Sequence, residues 1–320
     1  MSWSAVEKAL AILGDRARRD MAIGPLTTYG VGGRAAIFLA ANGVDDLRLA
    51  AKALAASGLP VLVLGRGSNL LVADEGFPGL VVTLAAGQFS AIDVLPGHVV
   101  RAGGAVLLPV IARQPASQDL AGLEWAVGVP GSVGGAVRMN AGGHGADTSQ
   151  TLQTCRWFDL RSGVVVDMDA PDLRFGYRHS AVEAHHAVVS ADYHLAPGDR
   201  ASAEATIRDI VRWRREHQPG GQNAGSVFTN PPGDPPANSA GWLVEAAGLK
   251  GYRQGSAMVS DKHANFIQAK PGGSADDVVR LMLEVQRLVA ERLGVTLHAE
   301  VKLVGFDRPS VSTLTPERWS

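Results

Sequence analysis

The chain has 320 residues, enough for about two domains, and its 46% hydrophobic and 19% charged residues are typical of a folded globular protein. The 30 Lys and Arg residues nearly balance the 31 Asp and Glu residues, so no overall basic field favours nucleic acid as a partner. The single cysteine, Cys155, excludes an intrachain disulfide, and no apolar run approaches the roughly 20 residues of a membrane span. We therefore expect a cytoplasmic monomer that neither binds nucleic acid nor inserts into a membrane.

Short apolar runs separated by glycine dominate the first part of the chain. Three of them are rich in aliphatic residues and are predicted to be strands: Val61–Leu64, Gly79–Leu84 and Gly97–Arg101. A helix is predicted over Asp45–Ser57, with Asp45 as its cap and Gly58 at its end. This mixture predicts an α+β arrangement.

Two helices are predicted in the second half of the chain. The charged segment Ser202–Gln218 carries an apolar stripe and stops before Pro219. Further on, Ser274 can cap a helix, with Asp277 three residues later, and Gly294 would end it.

The segment that follows, Val295–Leu303, alternates apolar and polar residues and is predicted to be a strand with one face in the core. Its other face is predicted to carry Thr296, His298, Glu300 and Lys302. Residues 307–320, with two prolines and several Ser and Thr residues, are predicted to form a disordered tail.

Two glycine-rich loops are candidates for phosphate binding. Gly65-Arg-Gly-Ser-Asn69 directly follows a predicted strand, but Leu70 stands where the Rossmann pattern requires a third glycine. An ordinary tight turn explains this segment equally well. The second loop, Gly128–Ala136, has four glycines in nine residues and leads into Asn140–Gly143. A purely structural loop is the alternative for this second segment. Together the two loops indicate a long ligand that carries a diphosphate.

Three polar residues are candidates for catalysis: Arg178, Ser226 and Glu300. The respective alternatives are a surface ion pair, a turn hydroxyl and a solvated residue paired with Lys302. The adjacent histidines at 185 and 186 lack a third ligand at a useful spacing, so no metal site is predicted. No Gly-x-Ser-x-Gly motif is present, which argues against a serine hydrolase.

Eight motifs, taken in order, resemble the family of UDP-N-acetylenolpyruvoylglucosamine reductases (MurB) over about residues 20 to 306. They are Thr27–Gly33, Leu64–Val72, Gly122–Trp125 with Gly128–Ala136, Met139–Gly142, Tyr177–Ser180, Gly225–Pro231, Lys262–Phe266 and Ala299–Leu303. The short interval between Arg178 and Ser226 resembles the shorter subtype, which lacks a mobile loop carrying a tyrosine.

The resemblance implies an α+β fold with an FAD-binding region of the PCMH or vanillyl-alcohol-oxidase type. Its two subdomains would span residues 1–96 and 97–198, followed by a smaller α+β substrate-binding domain at 199–306 and a tail at 307–320. No histidine that could tether flavin lies in the loop of residues 65–69, so FAD would be bound non-covalently. The implied FAD contacts are Gly65, Arg66, Gly67, Ser68, Asn69, Leu70, Gly128, Pro130, Gly131, Ser132, Gly134, Gly135, Ala136, Asn140, Ala141 and Gly142.

The resemblance also implies an activity in peptidoglycan synthesis. NADPH would reduce FAD, which would pass hydride to the enolpyruvyl group of UDP-N-acetylglucosamine enolpyruvate to give UDP-N-acetylmuramate. Arg178 and Glu300 would engage the substrate carboxylate, and Ser226 would donate the proton. The implied substrate contacts are Tyr177, Asn230, Lys262, His263 and Asn265.

The chain departs from the family pattern at three positions. Thr229 stands where a lysine is frequent, and Pro109 and Pro115 are expected to disturb the helix that follows Gly104. Two other functions stay open from the sequence, an FAD-linked oxidase and a non-catalytic protein that binds flavin or a nucleotide sugar.

Overall fold

The computed structural model describes residues 3–232 and 239–314. Its helices are α1 Trp3–Leu13, α2 Val44–Ser57, α3 Leu108–Ala116, α4 Val133–Met139, α5 Arg200–His217, α6 Ala240–Ala246, α7 Ala275–Leu293 and α8 Arg308–Val311. Its strands are β1 Ala17–Ala22, β2 Arg34–Ala41, β3 Val61–Val63, β4 Leu70–Val72, β5 Phe77–Leu84, β6 Ile92–Leu95, β7 Val99–Gly103, β8 Leu120–Ala121, β9 Gly142–Gly143, β10 Ala146–Asp147, β11 Leu152–Asp159, β12 Val165–Asp169, β13 His186–His194, β14 Ala196–Pro197, β15 Arg253–Gln254, β16 Ala257–Val259, β17 Ile267–Ala269 and β18 Lys302–Val304. None of the described helices is long and apolar enough to cross a membrane.

The chain forms two compact units that alternate along the sequence. The first unit contains the segments up to residue 21, 36–66 and 78–214, and the second contains 22–35, 67–77 and the chain from 215 onward. The second unit thus draws two short segments from the first third of the chain. The domain borders expected at residues 96 and 198 stay predictions.

The first unit is built on two sheets. One has the strand order β1-β2-β5-β3, with β3 and β5 parallel, and its core is shared with α1 and α2. The other is antiparallel, with the order β12-β11-β13-β7-β6, and its core is shared with α3, α4 and α5. Separate helices beside a largely antiparallel sheet match the predicted α+β class.

Helix α2 confirms the predicted helix but not its cap. Gly43 is the cap residue, and Asp45 lies inside the first turn, where it pairs with Arg48. The neighbouring Asp46 carboxylate accepts a hydrogen bond from the backbone N–H of Asn42. Gly58 ends the helix with a φ of 66°, as the sequence predicts.

Helix α3 accommodates both of its prolines, so the expected disturbance is wrong. Pro109 lies in the first turn, where a backbone N–H would have no helical acceptor in any case. Pro115 lies in the last turn and is buried among the apolar residues of the helix. The chain continues beyond it with hydrogen bonds from Ser117 N to Arg113 O and from Gln118 N to Pro115 O.

The core of the second unit is organised by α7, with α6 and the sheet β15-β16-β17 against it. The predicted stripe of α7 is fully confirmed, because Val278, Leu281, Val285 and Leu288 are all buried. Ser274 caps the helix by accepting from Asp277 N, and Asp74 adds a second cap by accepting from Ser274 Oγ at 2.6 Å and Ala275 N at 2.9 Å. Gly294 ends it with a φ of 70°.

The predicted strand over Val295–Leu303 is only partly present. Its alternation is confirmed, since Leu297, Ala299 and Val301 are buried. However, the ladder is restricted to β18, which pairs in parallel with β4, and to an isolated bridge between Ala299 and Phe228. The partner of the remaining stretch is a short extended segment around Phe228 rather than a full strand.

The prediction of a disordered tail is wrong for residues 307–314. They include α8, and Val311 and Leu314 are 6% and 0% exposed in the core of the second unit. Two apolar residues are enough to hold this short segment against the core. Residues 315–320 lie outside the described part of the chain.

Candidate active site

Gly65 and Arg66, which begin the first glycine-rich loop, lie in the first unit beside Ser132 of the second loop. Gly65 and Arg66 follow β3 and are exposed, and a Cβ at Gly65 would lie 3.0 Å from Ser132 Oγ of the second loop. Among the described residues, no protein group accepts from the backbone N–H of Gly65, Arg66 or Ser132, and the Arg66 guanidinium has no ion pair. Unpaired amides beside a guanidinium fit an anionic ligand such as a diphosphate.

Glycine at position 128 has a different explanation. A Cβ there would lie 2.9 Å from Ile210 Cγ2 and 3.1 Å from His144 Cδ2, and the Arg214 guanidinium donates to the Gly128 carbonyl. Similarly, a Cβ at Gly134 would lie 3.2 Å from a backbone carbonyl. Close packing within the first unit therefore explains part of the glycine density that the sequence alone suggested was for a ligand.

Asn140, at the end of α4, is used by the protein itself. It has a φ of 41° and is buried. Its side chain donates to Gly176 O at 3.1 Å and accepts from Ser149 N at 3.0 Å. Ala141 O accepts from both the amide and the hydroxyl of Thr148. Asn140 therefore fixes the loop after α4 against the turn at Gly176, and its predicted contact with FAD stays a prediction.

Arg178 lies at the tip of a tight turn. Gly176 and His179 exchange backbone hydrogen bonds of 3.0 and 3.1 Å, which leaves Tyr177 and Arg178 at the corners. Arg178 has a φ of 56°, an uncommon conformation for a residue with a Cβ. Its guanidinium donates to Gly142 O at 3.3 Å and lies 5.0 Å from the Tyr177 ring centroid. The turn thus presents a cation beside the Asn140–Gly142 loop.

Ser226 and Glu300 belong to the second unit, where the peptide of Val227 joins them. Glu300 N donates to Val227 O at 2.8 Å, and Val227 N donates to Asn265 O at 2.8 Å. Ser226, directly before Val227, is half-buried. The structure therefore brings together two of the three candidate catalytic residues, while Arg178 lies in the first unit.

The segment Gly67–Asn69 supports the extended segment that carries Glu300. Asn69 Nδ2 donates to Glu300 O at 3.2 Å, and Asn69 O accepts from Lys302 N at 3.0 Å. Gly67 has a φ of 59°, and a Cβ there would lie 2.6 Å from Thr27 Cα. Gly67 and Asn69 therefore have structural roles that the sequence did not reveal.

The predicted substrate contacts are also partly occupied by protein groups. Asn230 Oδ1 accepts from Ala240 N at 3.0 Å, at the start of α6. Lys262 Nζ donates to Arg215 O. His263 Nδ1 accepts from Asn265 N, and burial, followed by the nearby Lys250, lowers the pKa of its imidazole. A substrate contact for these residues stays a prediction.

Asp159 is a neighbour of His185 and His186 that the sequence did not indicate. One potential ligand atom of each of the three lies within 4.8 Å of the others. However, His186 Nδ1 accepts the backbone N–H of Glu183, which leaves the proton of the neutral ring on Nε2. No lone pair of that ring is then directed at a metal, so the cluster does not form a ready ligand set.

The sequence and structure were compared with known proteins. Residues 217–304 match the family model of the UDP-N-acetylenolpyruvoylglucosamine reductase C-terminal domain, and residues 35–169 match the model of an FAD binding domain. The predicted FAD-binding region and reductase C-terminal domain are thereby confirmed.

Individual relatives cover nearly the whole chain. The UDP-N-acetylenolpyruvoylglucosamine reductase of Rubrobacter xylanophilus is 41% identical over 90% of this chain and 95% of its own length. That of Synechococcus sp. strain JA-3-3Ab is 38% identical over 95% of this chain and 96% of its own length. The crystal structure of UDP-N-acetylenolpyruvylglucosamine reductase (MurB) from Thermus caldophilus matches with a TM-score of 0.76 and 35% identity, over 90% of this chain and 99% of that one.

Proposed function

The chain belongs to the UDP-N-acetylenolpyruvoylglucosamine reductase family, and on that premise we propose that it reduces UDP-N-acetylglucosamine enolpyruvate to UDP-N-acetylmuramate with NADPH. It is an FAD-dependent oxidoreductase. The observation that carries the proposal is the Val227 peptide, which holds Ser226 and Glu300 together.

The residues of the first unit fit the diphosphate of FAD. Gly65, Arg66 and Ser132 would hold it through their unpaired amides and the guanidinium. The loop of residues 65–69 offers no histidine for a covalent bond, so we infer non-covalent binding. When bound, FAD supplies the hydride that it receives from NADPH.

The reaction adds one hydride and one proton across the carbon–carbon double bond of the enolpyruvyl group. Addition of hydride to C3 moves negative charge onto C2 and the carboxylate, forming an enolate. We assign stabilisation of this carboxylate to the guanidinium of Arg178 and to Glu300. Glu300 must be protonated or paired with a cation to lie beside a carboxylate without strong repulsion.

Ser226 is assigned the proton transfer to C2. A hydroxyl is a weak acid near neutral pH, but an enolate is a strong base, so the transfer is favourable in the direction of the product. The serine must be held at a fixed position for this step, because proton transfer from a weak acid is efficient only when its hydroxyl is correctly placed relative to C2. The hydrogen bonds on both sides of Val227 support such an arrangement.

We further propose that the protein works in the cytoplasm and as a single chain. Its two proposed reactants, NADPH and a nucleotide sugar, are cytoplasmic metabolites.

The proposal is tested by the visible spectrum of the purified protein and by its consumption of NADPH. We expect the spectrum of bound FAD and a rate of NADPH oxidation that depends on UDP-N-acetylglucosamine enolpyruvate. A protein that binds no added FAD would overturn the proposal. Rapid oxygen consumption without the sugar substrate would instead indicate an oxidase.

A further inference from the structure

Both polar atoms of the Asn265 side chain are hydrogen-bonded to one neighbouring residue. Asn265 is 4% exposed. Its Nδ2 donates to Phe228 O at 2.9 Å, and its Oδ1 accepts from Phe228 N at 3.0 Å. The buried amide therefore presents little surface to a substrate. Leaving either of its partners unpaired would cost about 1–3 kcal/mol.

The backbone of Asn265 extends the same clamp by one residue. Its carbonyl accepts from Val227 N at 2.8 Å, so Val227 and Phe228 together form three hydrogen bonds with Asn265. On the opposite side, Val227 O accepts from Glu300 N at 2.8 Å. The two residues after Ser226 are therefore fixed between Asn265 and the segment that carries Glu300.

We infer that Asn265 is a positioning residue that holds the Ser226 hydroxyl for proton transfer, and not a group that contacts the substrate. The expected effect of the clamp on the reaction rate rests on the proposed function. Without the clamp, the Ser226–Phe228 segment would lose its hydrogen bonds on one side and keep those to residues 298–301 and the core packing of Val227 and Phe228. It could then shift along residues 298–301. A displacement of about 1 Å at a reacting group can lower a rate about 100-fold.

Two substitutions separate the parts of the clamp. Asn265→Leu keeps the number of side-chain heavy atoms and the branching at Cγ but removes both side-chain hydrogen bonds. Asn265→Asp keeps an acceptor for Phe228 N but can donate to Phe228 O only when its carboxyl is protonated. Burial raises the pKa of such a carboxyl, so protonation and repair of the clamp should occur as the pH is lowered.

Val285→Ala is the matched control. Val285 is fully buried in α7, within the core of the same unit, and it contacts neither Ser226 nor Glu300 through any hydrogen bond. The substitution lowers the stability of the second unit by leaving a cavity. It therefore measures the effect of lost stability alone.

The test measures two rates by rapid mixing, the reduction of bound FAD by NADPH and its reoxidation by UDP-N-acetylglucosamine enolpyruvate. For Asn265→Leu we expect reoxidation to fall about 100-fold, with FAD reduction, FAD affinity and substrate affinity unchanged. Asn265→Asp should approach the wild-type rate as the pH is lowered. Val285→Ala should change neither rate.

An equal loss in both rates, a raised substrate dissociation constant with normal reoxidation, or an equal effect of Val285→Ala would overturn the inference. Amide hydrogen exchange gives a readout that does not depend on activity. We expect Phe228 N–H to exchange faster in Asn265→Leu than in Val285→Ala. If the wild-type protein does not reduce the substrate, the proposed function fails, while unchanged exchange at Phe228 would refute the clamp itself.

Discussion

The loop at Gly65 and the peptide of Val227 differ in whether their backbone hydrogen-bonding groups have partners within the protein. Among the described residues, the amides of Gly65 and Arg66 have no protein acceptor. By contrast, the amide and carbonyl of Val227 are both paired within the protein. Backbone groups in native proteins are nearly always paired, with protein, water or ligand. The comparison indicates a loop whose amides are available to a ligand or to water, and a segment beside Ser226, the proposed proton donor, that the protein has fixed in advance.

Removal of the Ser226 hydroxyl should have the largest effect. General acid catalysis contributes about 10²–10⁴-fold, so we expect Ser226→Ala to slow product formation about 1,000-fold. Reduction of FAD by NADPH should be unchanged, because the hydroxyl has no role in that step. Rapid mixing separates the two rates. Thr229→Ala, which removes a hydroxyl that donates to His298 O in the same segment, is the control. Equal damage to both half-reactions would refute the proton-donor role.

Gly128→Ala should reduce stability rather than ligand binding. The added methyl group would lie 2.9 Å from Ile210 Cγ2 and 3.1 Å from His144 Cδ2, which is closer than normal contact. Overpacking of this kind costs about 1–3 kcal/mol. Denaturant unfolding of the FAD-free protein measures this loss. Unchanged stability with weaker FAD binding would show that this glycine serves the ligand instead.

Gly65→Ala should weaken ligand binding rather than reduce stability. The residue is exposed, and the added methyl group would meet only Ser132 Oγ, at 3.0 Å. We expect unchanged stability without FAD but an affinity for FAD about tenfold weaker, or about 1.4 kcal/mol. Titration calorimetry gives the dissociation constant. Wild-type affinity in this variant would remove Gly65 from the diphosphate site.

Asp277→Asn should have the smallest effect, and that effect should depend on pH. Hydrogen bonds from the backbone and hydroxyl of Ser256 are the main cause that holds the pKa of Asp277 below its usual value, with Arg280 adding to it. A carboxyl with a depressed pKa stabilises the folded state above its unfolded pKa of about 3.9, and this stability is lost as the pH falls through its folded pKa. The free energy of unfolding of the wild type should therefore be higher than that of the variant at neutral pH, by less than about 1 kcal/mol. This difference should become smaller at acidic pH. A constant gap in unfolding experiments from neutral to acidic pH would contradict this assignment.

Local signals in the sequence predicted much of the fold. Ser274, Gly294 and the apolar stripe between them define α7 because capping and helical period depend only on nearby residues. The prediction of a disordered tail was wrong for residues 307–314 because Val311 and Leu314 are too sparse to form a periodic pattern, although the core buries both.

Pairings between residues far apart in the chain could not be predicted from the sequence. The alternation in Val295–Leu303 predicted which side chains are buried, but it could not show that Phe228 is the partner of Ala299. For the same reason the hydrogen bonds between Asn265 and Phe228 left no local signal, because they join residues far apart in the chain. The participation of residues 67–77 in the second unit likewise leaves no local signal.

The most direct test of the account is to identify the product. Purified protein is incubated with FAD, NADPH and UDP-N-acetylglucosamine enolpyruvate, and the nucleotide sugar is analysed by mass spectrometry. The account predicts UDP-N-acetylmuramate, formed in an amount equal to the NADPH consumed. Consumption of NADPH without any reduced nucleotide sugar would contradict it.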